Sequence, residues 1–397
     1  MTLLSKKITN MKESATLAMA RRSRELQATG KKIINLSLGE PDFNTPTFIK
    51  NAAKAAIDQN FSKYTPVAGY QELLYTITKK FKRDNKLNYQ PNQIVCSTGA
   101  KQSIAQLLMV LLNKNDEVIL PAPYWVSYYQ MIELAEGTPK VIKSDIENNF
   151  KITPEQLDKS ITKKTKVFLF SSPCNPTGSV YSQKELESLA DIFKKHKNII
   201  IISDEIYEHI NFTKNHFSIG RIPEIASQVV TINGLSKGFA MTGWRFGYLG
   251  APEKIAAACI KMQGQITSAT CSITQRAAIT ALSSDTIFTE NMRKKFKKRR
   301  DLVIKLLSEI KNLKINKPEG AFYIFPDISK YLGTSYQNKI IKNSDDLAMF
   351  LLQDGGVSTV SGAAFGAENY IRISYAASEK ELKQACGLIK SSLEKLN

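Results

Sequence analysis

The chain has 397 residues, which at roughly 100–200 residues per domain suggests two or three domains, or one large domain with a smaller one attached. Hydrophobic residues make up 43% and charged residues 23%, the balance of an ordinary soluble globular protein with ample apolar material for a core. The formal charge of +19 invites a nucleic-acid reading, but 44 of the 55 basic residues are Lys and only 11 are Arg, spread along the whole length, whereas phosphate and base recognition leans on the bidentate Arg fork.

Residues 11–29 read as a helix with a polar face, and Lys32–Leu38 as a short strand that stops at Gly39-Glu40-Pro41-Asp42. Residues 46–60 and 69–84 read as helices. An alternation follows. The apolar runs Gln93–Ser97, Glu117–Leu120, Lys140–Lys143, Val167–Phe170, Ile199–Ile202, Val229–Ile232 and Phe246–Leu249 read as strands. Helices at 101–113, 125–136 and 183–196 separate some of them. Short, fully apolar strands alternating with helices predict an α/β fold whose mainly parallel sheet is covered on both faces. After residue 285 the pattern changes to a long basic helix over 286–312, short strands near 321–325, 357–359 and 370–374, and helices at 344–354 and 378–396. That reads as a smaller α+β layer, with the basic helix as the bridge. The dense run Arg293–Arg300 reads mainly as a solvated helix face, with an anionic partner as the other possibility.

The five cysteines are scattered and form no C-x-x-C, which fits free thiols in a reducing compartment. The start lacks the apolar run of a signal peptide, and no stretch approaches the ~20 apolar residues of a membrane span. The expected location is the cytoplasm, with no membrane or nucleic-acid partner.

Open parallel sheets hold ligands beyond the carboxyl ends of their strands, so the segments just after the strands carry the functional argument. Ser97-Thr98-Gly99-Ala100-Lys101 opens a helix, where free N–H groups suit an anion, although many helices begin this way. Pro173 and Pro176 stiffen the chain around Asn175, either to present a held amide or simply to form a Pro/Gly turn. Asp204 ends a buried strand and needs a cation, for which a protonated pyridine nitrogen would serve; a helix N-cap is the plainer alternative. Tyr207 follows three residues on. Lys237 sits among small residues after another strand, where desolvation would lower its pKa and let it attack a carbonyl; taken alone, a solvated lysine is the plainer alternative. Arg245, between Gly243 and Gly247, suits an anion such as phosphate or a structural salt bridge. Arg372 alternates with apolar residues in a strand, so its partner is a carboxylate, of a ligand or of the protein itself. The three histidines are not spaced as a metal-ligand set, and the chain shows no Walker loop, no G-x-G-x-x-G after the first strand and no nucleophile elbow.

Taken together, Gly39-Glu40-Pro41-Asp42-Phe43, Tyr64 in Lys63-Tyr64-Thr65-Pro66, Pro123-Tyr124-Trp125, Asn175-Pro176-Thr177-Gly178, Ser203-Asp204-Glu205-Ile206-Tyr207, the segment Ser236 to Arg245, and Arg372 resemble the class I/II aminotransferases, nearly the full chain in the right order. The nearest likeness is to the bacterial Ib branch of aspartate aminotransferases, some of which also use prephenate. The resemblance implies fold type I, with residues 1–45 joined to the small domain, 46–285 as the large domain and 286–397 as the small one. It implies pyridoxal 5′-phosphate as cofactor and a homodimer that shares its active sites.

By the same resemblance, Lys237 joins the cofactor covalently and later moves the substrate Cα proton, and Asp204 pairs with the ring nitrogen. Tyr207 and Asn175 hydrogen-bond the ring oxygen, and Trp125 stacks on the ring and borders the substrate. Gly99, Ala100, Lys101, Ser236 and Arg245 grip the phosphate, which Tyr64 reaches from the neighbouring subunit. Arg372 clamps the substrate α-carboxylate beside Asn175 and the Gly39 backbone. Lys101 meets the distal carboxylate of a diacid, and Lys12 resembles a position associated with prephenate. The Asn175–Pro176 peptide is expected to be cis. Ser361-Gly362 stands where many relatives have Pro-Gly, which is expected to loosen that loop. The competing readings are an aminotransferase of aromatic or alanine specificity, a β-lyase on the same fold, and a DNA-binding sensor. The last would need an added segment that the roughly 38 residues before Gly39 are too few to supply.

Overall fold

The central element is a sheet of seven strands: β1 (Ile94–Ser97), β2 (Glu117–Ala122), β3 (Thr138–Lys143), β4 (Thr165–Ser171), β5 (Ile200–Asp204), β6 (Val229–Gly234) and β7 (Gly247–Gly250). The structure is a computed structural model that describes residues 3–213 and 216–397. Met1 and Thr2, at the start read above for a signal peptide, therefore lie outside the described residues. The strand order is β1-β7-β6-β5-β4-β2-β3; β7 runs antiparallel to both neighbours and every other pair is parallel. In β1, β4, β6 and β7 nearly every residue is buried, because helices cover both faces and no side of the pleat reaches water. The expected α/β class and mainly parallel sheet match what is found.

Five helices carry the argument below: α1 (Ala15–Ala28), α2 (Ala100–Leu111), α3 (Ser127–Leu134), α4 (Ile287–Ser308) and α5 (Glu379–Leu393). Two further helices, Glu253–Ile266 and Ser272–Ser283, occupy a stretch where the apolar pattern gave no helix. The second buries Ala277, Ala278 and Ala281 against Thr47–Asp58 and Gln71–Lys80. Small residues buried at close helix contacts produce little hydrophobic contrast along a sequence.

A second layer holds three short antiparallel strands, β8 (Tyr323–Ile324), β9 (Val360–Ser361) and β10 (Ile371–Ser374), in the order β9-β10-β8. Helices α4 and α5 pack on it: Met292, Phe296, Val303 and Leu307 meet Leu382, Ile389 and Leu393 in one core. Truncating a ring such as Phe296, fully buried here, would cost ~3–5 kcal/mol. Ile206 and Tyr207, just past β5, belong to that same core, so the carboxyl edge of the large sheet is packed directly on the second layer. The N-terminal segment reaches this layer too. Ile34–Asn35 pairs in parallel with Val357–Ser358, and the Ser374 N–H donates to Leu36 O at 2.9 Å.

The basic run is not simply a solvated face. Lys294 and Lys298 face water, but Arg300 is 6% exposed and donates to Pro318 O at 2.9 Å. Arg299 grips Asp42 with both fork nitrogens, at 2.6 and 2.8 Å, and stacks over Phe43. The helix periodicity turns these two arginines inward along with Phe296, and Arg299 thereby ties the Gly39–Phe43 turn to α4. Ser361 does not loosen its loop either. It is 4% exposed, shares a 2.8 Å hydrogen bond with the Ser344 hydroxyl and accepts from the Ala363 N–H.

Candidate active site

A cavity of about 320 Å³ lies where the carboxyl ends of β4, β5 and β6 face the second layer. The fold brings Gly39, Ala100, Lys101, Trp125, Asn175, Asp204, Tyr207, Ser236, Lys237, Arg245 and Arg372 to its wall, from positions spread over 334 residues between Gly39 and Arg372 counted inclusively. Parallel strands make this convergence geometric, because Ser171, Asp204 and Ile232 stand side by side in register at one edge.

One end is built for an anion. Gly99 has φ +87° and begins α2, whose first N–H groups are free of helical partners. A Cβ at Gly99 would meet Arg245 Nη2 at 2.5 Å, and one at Gly247 would meet the Ala100 N at 2.2 Å. Glycine at both positions lets the guanidinium and the helix N-terminus converge. Arg245 donates to Thr242 O at 2.9 Å and makes no ion pair with a carboxylate among the described residues. Lys101 lies at the mouth with its ammonium 4.9 Å from the Trp125 ring centroid. Burial and the neighbouring Arg245 charge lower its pKa. Two cations with no acid between them suit a bound anion.

At the other end, Asp204 is 4% exposed, and burial pushes its pKa up to about 6. Its Oδ2 accepts from the Tyr128 hydroxyl at 2.6 Å and its Oδ1 from the Ile206 N–H at 3.1 Å. Between the two ends, the Lys237 ammonium opens onto the cavity and donates to Gly39 O at 2.5 Å. Burial lowers its pKa to about 8; Glu40 opposes the shift, while Arg372 and Arg245 add to it.

Arg372 is 1% exposed, on β10 between Ile371 and Ile373. Its Nη1 donates to Asn175 Oδ1 at 2.9 Å, its Nη2 to Ser37 O at 2.5 Å, and its face lies over Tyr323 at 4.5 Å. Among the described residues Nε has no acceptor and no carboxylate pairs with the group. The protein-carboxylate alternative left open by the sequence is therefore not what the fold builds. The Asn175–Pro176 peptide is cis, as are Ala122–Pro123 and Ser172–Pro173.

Three expected site residues do not line the cavity. Gly99 lies just behind it, under Arg245. Tyr64 is 98% exposed. Lys12 is also exposed, its backbone N–H held by Gln130 Oε1 at 3.0 Å. Tyr207 and Asn175 are at the wall, but here the Tyr207 hydroxyl shares a 2.8 Å bond with Tyr323, and Asn175 accepts from Arg372. Sequence reasoning missed Tyr128, Tyr323, Thr242, Ser14 and Thr16, which all line the cavity. Tyr128 was within reach, being one helical turn beyond Trp125, and Thr242 lies inside the Ser236–Arg245 segment already singled out; the others carried no signal of their own. The fold also gathers Glu205, Glu208 and His216, with ligand atoms within 4.8 Å of one another. Lys80 is salt-bridged to Glu208, and Asn85 donates to both carboxylates, so positive charge is already present there.

The donor set fits pyridoxal phosphate. Ser236, Arg245 and the N-terminus of α2 would hold the phosphate, Asp204 a protonated ring nitrogen, and Lys237 an aldehyde. The chain is 45% identical over 394 residues to the aspartate/prephenate aminotransferase of Cereibacter sphaeroides, covering 98% of each chain. The aspartate aminotransferase of Rhizobium meliloti superposes with a TM-score of 0.96 at 38% identity over 100% of both chains. That of Thermus thermophilus with maleate superposes with a TM-score of 0.93 at 37% identity, over 99% of this chain and 100% of the other. The description "Aminotransferase class I and II" matches residues 31–389, and this chain belongs to that pyridoxal-phosphate-dependent family.

Proposed function

We propose that this enzyme transfers the amino group of aspartate or glutamate to 2-oxo acids, with prephenate as a further acceptor, by a ping-pong cycle. One observation carries the reading: Arg372, fully buried and without a carboxylate partner among the described residues, shares a cavity with the lowered-pKa amine of Lys237. When bound, pyridoxal phosphate supplies an electron-withdrawing ring that stabilises negative charge at the substrate Cα. The Arg372 fork takes the α-carboxylate, beside Asn175 and the Gly39 backbone. Lys237 Nζ, with its pKa lowered to about 8 so that a substantial fraction is neutral at that pH, removes the Cα proton as general base. Asp204 would hold the ring-nitrogen proton, Tyr207 and Asn175 would hydrogen-bond the ring oxygen, and Trp125 would cover one face of the ring. Lys101, at the mouth, receives the distal carboxylate, and the exposed Lys12 adds a second cation for prephenate. The names of the relatives and the maleate in the Thermus thermophilus structure support a dicarboxylic substrate.

Residues 46–285 are the proposed cofactor-holding domain and 286–397 the smaller one, with 1–45 attached to it. The active enzyme is a homodimer in which Tyr64, exposed on one protomer, completes the partner's phosphate site. Among the described residues no helix is long and apolar enough to cross a membrane. Five free thiols suit a cytoplasmic setting.

The test is a half-reaction spectrum of cofactor-loaded enzyme with aspartate, glutamate, alanine and phenylalanine in turn. Rapid conversion by the two diacids and much slower conversion by alanine is the expected result, with recovery by oxaloacetate, 2-oxoglutarate and prephenate. Conversion by phenylalanine or alanine in preference would assign another specificity. Pyruvate and ammonia from a β-substituted amino acid would replace transamination with lyase chemistry.

A further inference from the structure

We propose that Tyr128 is a positioning residue that orients the Asp204 carboxylate toward the cofactor's ring nitrogen and couples it to Trp125. The inference rests on the assignment of Asp204 to that nitrogen.

The geometry is specific. Tyr128 is 1% exposed and lines the cavity from α3. Its hydroxyl lies 2.6 Å from Asp204 Oδ2, in the short range of an O–H donor to a carboxylate. Burial and the Asp204 charge keep the phenol well above its ordinary pKa, so it remains a donor. The Ile206 N–H occupies the other carboxylate oxygen. Two donors, one on each oxygen, fix the carboxylate plane and leave one lone pair on each oxygen for a ligand. The Tyr128 ring stands edge-to-face on Trp125, centroids 5.3 Å apart and planes at 88°. One side chain thus joins the group at the ring edge to the group at its face.

The physical need for it is clear from Asp204 itself. Burial favours the neutral acid, and the Tyr128 bond is the largest influence opposing that. A neutral acid would not hold a ring-nitrogen proton.

The experiment measures cofactor affinity of the apoprotein by tryptophan-fluorescence quenching, for wild type, Tyr128→Phe and Asp204→Ala. Two probes are used: pyridoxal phosphate, and its analogue with a carbon in place of the ring nitrogen. Phe keeps the ring and its contact with Trp125 and removes only the hydroxyl. Tyr128→Phe is expected to weaken pyridoxal phosphate about tenfold, the scale of one hydrogen bond to a charged group, and to leave the analogue unchanged. The ratio between probes cancels any general loosening of the fold. An equal loss with both probes, or no loss with either, would overturn the proposal. Asp204→Ala separates the two levels. If it too weakens both probes equally, the assignment of Asp204 fails and the role of Tyr128 falls with it. If Asp204→Ala discriminates and Tyr128→Phe does not, the Tyr128 proposal alone is refuted. A second readout is the pH profile of cofactor binding, whose acid limb should move to higher pH in Tyr128→Phe; an unmoved limb counts against the proposal.

Discussion

Arg372→Lys isolates the fork geometry from the charge. The guanidinium already spends Nη1 on Asn175 and Nη2 on Ser37 O, and Nε is left without an acceptor. Lysine keeps a positive charge in a pocket that is 1% exposed but cannot hold those partners and offer two parallel donors to a substrate carboxylate. The loss is about one charge-assisted hydrogen bond, ~1.5–3 kcal/mol, or about 10–150-fold in kcat/KM. Arg372→Met removes the charge as well and buries the substrate carboxylate unpaired, at ~3–5 kcal/mol. Single-turnover absorbance with aspartate, glutamate and alanine is the assay. All three share an α-carboxylate, so Arg372→Lys should slow each by a similar factor. Lys101→Met should slow only the two diacids. The reasoning is refuted if Arg372→Lys spares alanine while slowing aspartate, because Arg372 would then be reading the distal carboxylate.

The lowered pKa of Lys237 makes a pH prediction. The fold favours its neutral form, so between about 8 and the unfolded lysine value of about 10.4 the unfolded chain binds more protons, and this group's contribution to stability rises with pH. The rate at which apoprotein captures pyridoxal phosphate covalently should rise through pH about 8; a midpoint near 10 would contradict the burial argument. Gly247→Ala should push the start of α2 away, since the new Cβ would sit 2.2 Å from the Ala100 N. Its expected effects are ~1–3 kcal/mol lower stability in a denaturant titration and loss of cofactor on dialysis. Lys80→Met should destabilise the protein by ~3–5 kcal/mol, because Glu208 would stay buried without its cation; chemical denaturation checks this. Asp204→Asn should fold normally, since an amide oxygen still accepts from Tyr128, yet lose at least about 100-fold in kcat, measured at saturating cofactor.

The sequence by itself determined the sheet and brought forward most of its candidate site residues, which the fold places at the cavity wall. Short uninterrupted apolar runs such as Val167–Phe170 fit strands buried on both faces, and the polar residues at their carboxyl ends then meet at one sheet edge. Motif order then singled out Lys237, Asp204 and Arg372. What it left open were choices between partners far apart in the chain. Whether Arg372 meets a protein acid or a ligand depends on what 1% exposure shuts in with it. Whether Arg299 is solvated depends on the Asp42 turn, 257 residues earlier, reaching α4. The helix of buried alanines at 272–283 was silent because its reason for being helical is its neighbours, not its own pattern. Tyr128 is the same case in miniature: its local sequence makes it one more core aromatic, and only the packing of α3 against the end of β5 brings its hydroxyl to Asp204.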